Sequence, residues 1–414
     1  MSGAVPAGKP APPLYFFNAP VDFLWVGGAS LVTLAVLWCS GFTREVQLDS
    51  SKDNAHWLVL ASWYLMWVVN WPHFAASSYR LYHTKTNIRQ YPMTALVVPW
   101  VILALAIASF YSPAVIAPLF VKLFQVWSPY HFSGQTLGIT LIYARRAGLK
   151  INGYERLALS SFIYGTFISM SILSEFGTGL ISFWGVSYPR FGLPEWGRGY
   201  FAATGVLSQP FLALIPIVIM AAGGVAFLVM MIRRRVILGQ RVPLILFMPA
   251  ITQYVWFIFS AGWTSFNQFV PFFHSLQYMM IAWSMQMKEA MDSRGERPGL
   301  NFLTRETARW GGLILVGGLL LFHERFGLPA WGAKLFNVSI EVSLAIVLSA
   351  IQIHHFFVDG VIWKLKSTAV SSPLMMNVES LLHDRHEGMT DLSQTPIPGG
   401  AKVSIERDYA RAGR

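Results

Sequence analysis

The 414-residue chain is poor in charge and almost free of cysteine. Asp, Glu, Lys and Arg together make up only 12% of it. That is too little to coat a soluble protein of this length, which argues against a set of buried core helices in a large water-soluble molecule. Cys39 is the only cysteine, so there is no intrachain disulfide and no thiolate metal cluster. No cleavable signal peptide is evident, because the first apolar run, 23–39, lacks a small-x-small exit site. Nor is there a lipoprotein site, since bulky Trp38 precedes Cys39 where a small residue is needed. The several closely spaced histidine boxes of membrane desaturases, which hold a di-iron site, are missing as well.

Apolar residues are abundant: 54% of the chain, with 15% aromatic and 16 Trp, a residue that favours membrane interfaces. Mean hydropathy is +0.47. The composition predicts an all-α, polytopic transmembrane bundle. Apolar runs at 23–39, 56–78, 93–111, 113–143, 157–176, 210–232, 242–261, 265–287, 311–326 and 336–364 give about ten spans. The net charge of +11 sits in short clusters between these runs, a topology signal that excludes a nucleic-acid patch. Arg80 and Lys85, Arg145 and Arg146, Arg233 to Arg235, Lys288 and Arg294, and Lys364 and Lys366 each follow an even-numbered span. The positive-inside rule then puts both termini on the cytoplasmic side, in a bacterial cytoplasmic membrane. The expected domain plan is a flexible segment 1–18, a membrane domain 19–366, and a polar, disordered cytoplasmic tail 367–414. Within that tail, His383-Asp384-Arg385-His386-Glu387 reads as surface charge. The loop 177–208, rich in glycine and aromatics, reads as an interfacial aromatic belt or as a lid over a lipid-facing cavity.

Ionisable groups inside such spans are expensive and need compensation. Ile351-Gln352-Ile353-His354-His355-Phe356-Phe357-Val358-Asp359 carries two imidazoles and a carboxylate; His355 and Asp359 share a helical face, and His354 points about 100° away. Three more spans carry an internal histidine with polar companions about one turn away: His73 with Asn70 and Ser77, His131 with Gln135, and His274 with Gln277 and Tyr278. A metal ligand and the group that orients it have this spacing. Counted from the outer span ends, His73, His131 and His354 lie roughly 25 to 30 Å deep, but His274 only about 13 to 18 Å. Convergence therefore requires a tilted or loosened helix near Pro271. His56 and His323 lie near outer ends and His83 in a loop, so they are set aside. Imidazole with at most one carboxylate suits Fe, Cu or Zn better than Mg or Ca. Iron held in this way with an open position would bind dioxygen and act on an apolar lipid, with Phe132, Phe273, Phe356 and Phe357 as candidate cavity walls. A haem held by two histidines, in an electron carrier, and a proton-coupled transporter using the buried His and Asp residues are the alternatives.

At these residues the chain resembles the Brp/Blh family of bacterial and archaeal membrane proteins, known for cleaving β-carotene to retinal. Ser128-Pro129-Tyr130-His131-Phe132, Phe273-His274-Ser275-Leu276-Gln277 and Pro72-His73 are similar to three family stretches, and His355 with Asp359 loosely to a fourth. Phe74 departs from the glycine usual after the Pro-His pair, and Ser133 separates Phe132 from Gly134. The resemblance implies a non-haem iron held by His73, His131, His274 and either His354 or His355, with a carotenoid as substrate. Gln135, Gln277 and Asp359 would then stand behind the ligands.

Overall fold

The computed structural model describes residues 13–41, 56–202, 208–294 and 299–362. Hydrocarbon offers backbone amides no partner, so apolar runs of this length must satisfy their own hydrogen bonds as helices. The described residues do so in ten principal helices. These are α1 (Ala19–Cys39), α2 (His56–Leu65, Met66–Asn70 and Trp71–Tyr82 in series), α3 (Met93–Tyr111), α4 (Ile116–Arg146), α5 (Gly153–Glu175), α6 (Phe211–Val236), α7 (Met248–Phe259), α8 (Val270–Arg294), α9 (Leu300–Phe322) and α10 (Ile340–Ile362). Sheet is confined, among the described residues, to two small antiparallel ribbons. The protein is all-α. Helices α1, α3, α5, α6 and α10 are long and apolar enough to cross a bilayer. Their outward faces carry large apolar side chains, among them Val101, Val218, Val225 and Val229, each more than half exposed. Water would penalise such faces and lipid does not, which makes this a membrane protein.

Small residues set the close helix contacts, as expected where the hydrophobic effect cannot drive helices together. A Cβ on Gly165 of α5 would stand 2.6 Å from Met220 Cβ, and one on Gly223 of α6 would stand 2.7 Å from the Ala158 carbonyl oxygen. At one end of this pair, Arg234 Nε donates to Glu155 Oε1 at 2.5 Å. Gly318 of α9 meets α2 in the same way, 2.7 Å from Pro72 N. There α2 opens into a wide turn, Met66–Asn70, just before Pro72. The proline can supply no amide donor, and the widened turn relieves its clash with the preceding carbonyls. Met93–Val97 does the same ahead of Pro99.

Three expectations change. The run 242–261 is not a full-length helix: α7 has only 12 residues, about 18 Å, well short of a bilayer core. The chain turns back through buried Ser260, Trp263, Phe266 and Phe269. The irregular backbone there is satisfied locally. Ser260 Oγ donates to the Val255 carbonyl at 2.7 Å, Asn267 Nδ2 to Ala261 O at 3.2 Å, and Gln268 Nε2 to Ser265 O at 3.0 Å. Non-helical chain is tolerated at depth only when enclosed by protein in this manner.

The segment 1–18, expected to be flexible, is docked where it is described. Phe16 is fully buried, and the backbone amides of Phe16 and Phe17 donate to the Asp22 carboxylate at 2.7 and 3.0 Å. Tyr143 also donates to Asp22, and Arg146 Nε donates to Leu14 O at 3.0 Å. A buried carboxylate and a buried guanidinium recruit this backbone because each is costly alone. Residues 1–12 and the tail 367–414, with its charge cluster His383 to Glu387, lie outside the described residues.

The aromatic loop holds a hairpin, β1 (Leu180–Phe183) paired with β2 (Val186–Pro189). Its two-residue turn, Trp184-Gly185, has positive φ at both positions, which matches the twist of tight hairpins. Val186 and Tyr188 are buried against Phe120, Phe124 and Ile346, and Lys122 Nζ donates to Pro189 O at 2.6 Å. This hairpin is fastened to α4 and α10.

Gly223→Ala should destabilise the protein by about 1 to 3 kcal/mol through overpacking. Gly312→Ala, where a Cβ would meet nothing within 4 Å, should not. Unfolding of both variants in detergent checks this.

Candidate metal centre

Four helices each deliver one imidazole to the same place: His73 from α2, His131 from α4, His274 from α8 and His355 from α10. Their rings form a closed quadrilateral. Centroid separations are 4.4 Å for His73 to His355, 4.7 Å for His355 to His131, 5.2 Å for His131 to His274 and 5.5 Å for His274 to His73. Each neighbouring pair is steeply inclined, between 61° and 89°. The Nε2 atoms of His131 and His355 are 3.1 Å apart. Two nitrogens each about 2.1 Å from one ion would be separated by roughly 3.0 to 3.4 Å. One nitrogen from each of His73, His274 and His355 falls within 4.8 Å of the others, and the same holds for His131, His355 and an oxygen of Asp359. The two sets share His355.

The position of His274 follows from the short α7. His274 lies one turn into α8, whereas His355 lies about four turns into α10, so α8 starts roughly 15 Å deeper if the two run alike. The buried turn at 260–269 supplies that offset. A helix crossing the whole bilayer would have left His274 too shallow. His354 does not join the group. Its Nε2 meets Tyr82 Oη at 3.2 Å, on the next face of α10.

Hydrogen bonding presets one ring. Ser275 Oγ donates to Asn70 Oδ1 at 2.6 Å, which leaves it to accept from His73 Nδ1 at 2.8 Å. His73 therefore carries its proton on Nδ1 and presents a bare Nε2, which is buried with no hydrogen-bond partner. Both nitrogens of His274 and Nδ1 of His355 are likewise buried without a hydrogen bond. Ser275 was not singled out in the sequence, although it adjoins His274 and Asn70 shares a face with His73.

Asp359 does not sit behind a ligand as its spacing predicted. Its Oδ2 lies 3.4 Å from His355 Nε2 and 3.8 Å from His131 Nε2, on the side where those nitrogens meet. Gln135 and Gln277 also fall elsewhere. Gln135 Nε2 donates to His274 O at 2.9 Å and lies 3.4 Å from Gln277 Oε1, while Gln277 donates to the Val26 carbonyl. Both glutamines tie helix backbones together and neither bonds an imidazole among the described residues.

Aromatic rings hold the imidazoles in place and keep water out. Phe132 stacks on His274 at 3.8 Å, Phe356 on His131 at 4.6 Å, and Phe74 on His73 at 5.0 Å. Phe273 packs away from the rings against Phe266, and Phe357 is partly exposed beside Trp127. His323, by contrast, packs against Trp67 and Phe326, and His83 pairs with Glu289 at 3.3 Å. On one side of the quadrilateral, bordered by His131 and Asp359, lies a cavity of about 280 Å³.

Ser275→Ala should cost about 1 to 3 kcal/mol of stability, because it leaves a buried imidazole N–H and a buried amide oxygen unpaired. Ser275→Thr, which keeps the hydroxyl, should recover part of that loss in the same unfolding assay.

No protein-family model, no curated protein and no solved structure matches this chain.

Proposed function

We propose that the protein is a membrane-embedded non-haem iron oxygenase acting on a carotenoid or another long apolar lipid. In this reading ten helical passages hold it in a bacterial cytoplasmic membrane with both termini cytoplasmic, α7 and α8 meeting below the outer face. The observation that carries the reading is the quadrilateral of imidazoles, in which His73 Nε2, both nitrogens of His274 and His355 Nδ1 are buried without a hydrogen bond while His131 and His355 meet through their Nε2 atoms. An unpaired buried polar atom costs about 1 to 3 kcal/mol, and several in one spot are sustainable when an ion takes up their lone pairs. Four nitrogens and one carboxylate, with no sulfur, fit iron, copper or zinc. The resemblance to the Brp/Blh stretches favours iron. The haem alternative has less support, because the rings crowd edge to edge at 4.4 to 5.5 Å and leave no flat slot for a porphyrin between two of them. A proton-coupled transporter is also less favoured, since Phe74, Phe132 and Phe322 pack the region behind the imidazoles.

His73, His131, His274 and His355 would hold the metal, with Asp359 at its edge. Ferrous iron in such a nitrogen site supplies the dioxygen chemistry that no side chain can. The chain does the rest. Ser275 and Asn70 fix the tautomer of His73, and Phe132, Phe356 and Phe74 lock ring orientations and exclude water. The Asp359 carboxylate offsets part of a divalent charge in a medium of low dielectric. The apolar cavity beside His131 would position a hydrocarbon within reach.

Anaerobically reconstituted protein should bind ferrous iron in a ratio close to one per chain, without a Soret band. His355→Ala should weaken binding by about 100-fold or more and Ser275→Ala by about 10- to 100-fold, whereas His354→Ala should match the unaltered protein. Metal analysis and titration decide the matter, and a chain that takes up no iron overturns the proposal.

A further inference from the structure

Three glycines beside the centre have no packing role. Where glycine brings helices together in this protein, at Gly165, Gly223 and Gly318, an added Cβ would meet a neighbour at 2.6 to 2.7 Å. At Gly138 of α4 and Gly360 of α10 it would meet nothing within 4 Å, and at Gly134 only Tyr164 Oη at 4.0 Å. Glycine inside a helix costs about 1 kcal/mol relative to alanine. These positions carry that cost with no close contact in return, and all three line the 280 Å³ cavity. What they preserve is open space.

The cavity has a definite direction. Near the hairpin, α4 and α10 are packed shut by Phe120, Phe124, Ile346 and Ile353. Past Phe356 the two helices present glycines to the gap. Tyr130, Gly134 and Gly360 are exposed and form its rim, while Ile139, Ile142, Tyr278 and Ile281 are buried and form its floor. In a bilayer this rim faces lipid between α4 and α10. Apart from His131, Asp359, Gln135, the tyrosine hydroxyls and the Trp127 indole nitrogen, the walls are apolar.

We propose that this slot admits the free end of a slender, open-chain apolar lipid sideways from the bilayer, and that Gly138 sets how far the end reaches. The proposal rests on the metal-centre reading for its chemistry, though not for binding. At about 30 Å³ per water-sized group, a volume of 280 Å³ encloses on the order of ten carbons. A longer chain leaves its remainder among the lipids, so the carbon beside His131 and Asp359 belongs to its terminal part. Open-chain polyenes and acyl chains are the substrate class.

The test uses full-length protein in lipid nanodiscs and the fluorescent C18 tetraene parinaric acid, with binding read by energy transfer from tryptophan and ferrous iron affinity titrated in parallel. Gly138→Leu and, from the facing wall, Gly360→Leu should each weaken probe binding by about tenfold or more while iron affinity stays unchanged. Gly312→Leu, on α9 outside the slot, should alter neither. Unchanged probe binding in both slot variants overturns the proposal. If leucine at 138 lowers thermal stability, the 360 variant decides alone. Probe binding that is sensitive to these leucines in a protein that takes up no iron would overturn the oxygenase reading and leave the slot standing. Iron uptake with probe binding indifferent to them would do the reverse.

Discussion

A buried imidazole must give its proton and its lone pair to something, and in the core of a membrane bundle water is not available to take them. That requirement organises this protein. His73, His131, His274 and His355 come from helices far apart in sequence, and they meet in two overlapping groups of three that share His355, one of them completed by Asp359. The rest of the architecture serves that meeting. Gly318 lets α9 close against the bend of α2, the short α7 lets α8 begin deep, and the hairpin closes the end of the bundle over α4 and α10.

The same low dielectric makes the surroundings selective. Asn70 and Ser275 determine which nitrogen of His73 carries the proton, so one ring is oriented before any ligand arrives. Stacked phenylalanines hold His131 and His274 without adding polar groups that would need partners of their own. Among the described residues, the side facing His131 and Asp359 opens on a cavity, and there glycines replace side chains.

Helices were legible because length and apolarity alone decide them: 93–111 is the same stretch in sequence and structure. The shortfall of α7 was not legible. Apolar residues follow it closely at Trp263 and Phe266, which are buried in a turn, and composition does not separate helix from enclosed coil. That turn also explains why His274 seemed too shallow when depth was counted from the end of its run. Helical phase separated His355 from His354 only in angle, and the contact with Tyr82 supplies the choice. Spacing placed Asp359 on the face of His355, but which nitrogen it approaches depends on α4, whose His131 lies 224 residues before His355 in sequence. Gln135 and Gln277 had the spacing of orienting groups too; neighbouring backbone carbonyls claimed their amides first. Ser275 works across two helices, a relation that no single-helix period reveals.

The central claim is that four imidazoles share one metal ion. X-ray absorption spectroscopy of the iron-loaded protein tests it most directly, because outer-shell scattering from imidazole rings counts the histidines bound. The account predicts a nitrogen and oxygen shell at about 2.1 Å, with scattering that requires four imidazoles and no sulfur. A spectrum fitted by one imidazole or none, or by sulfur ligands, would contradict it.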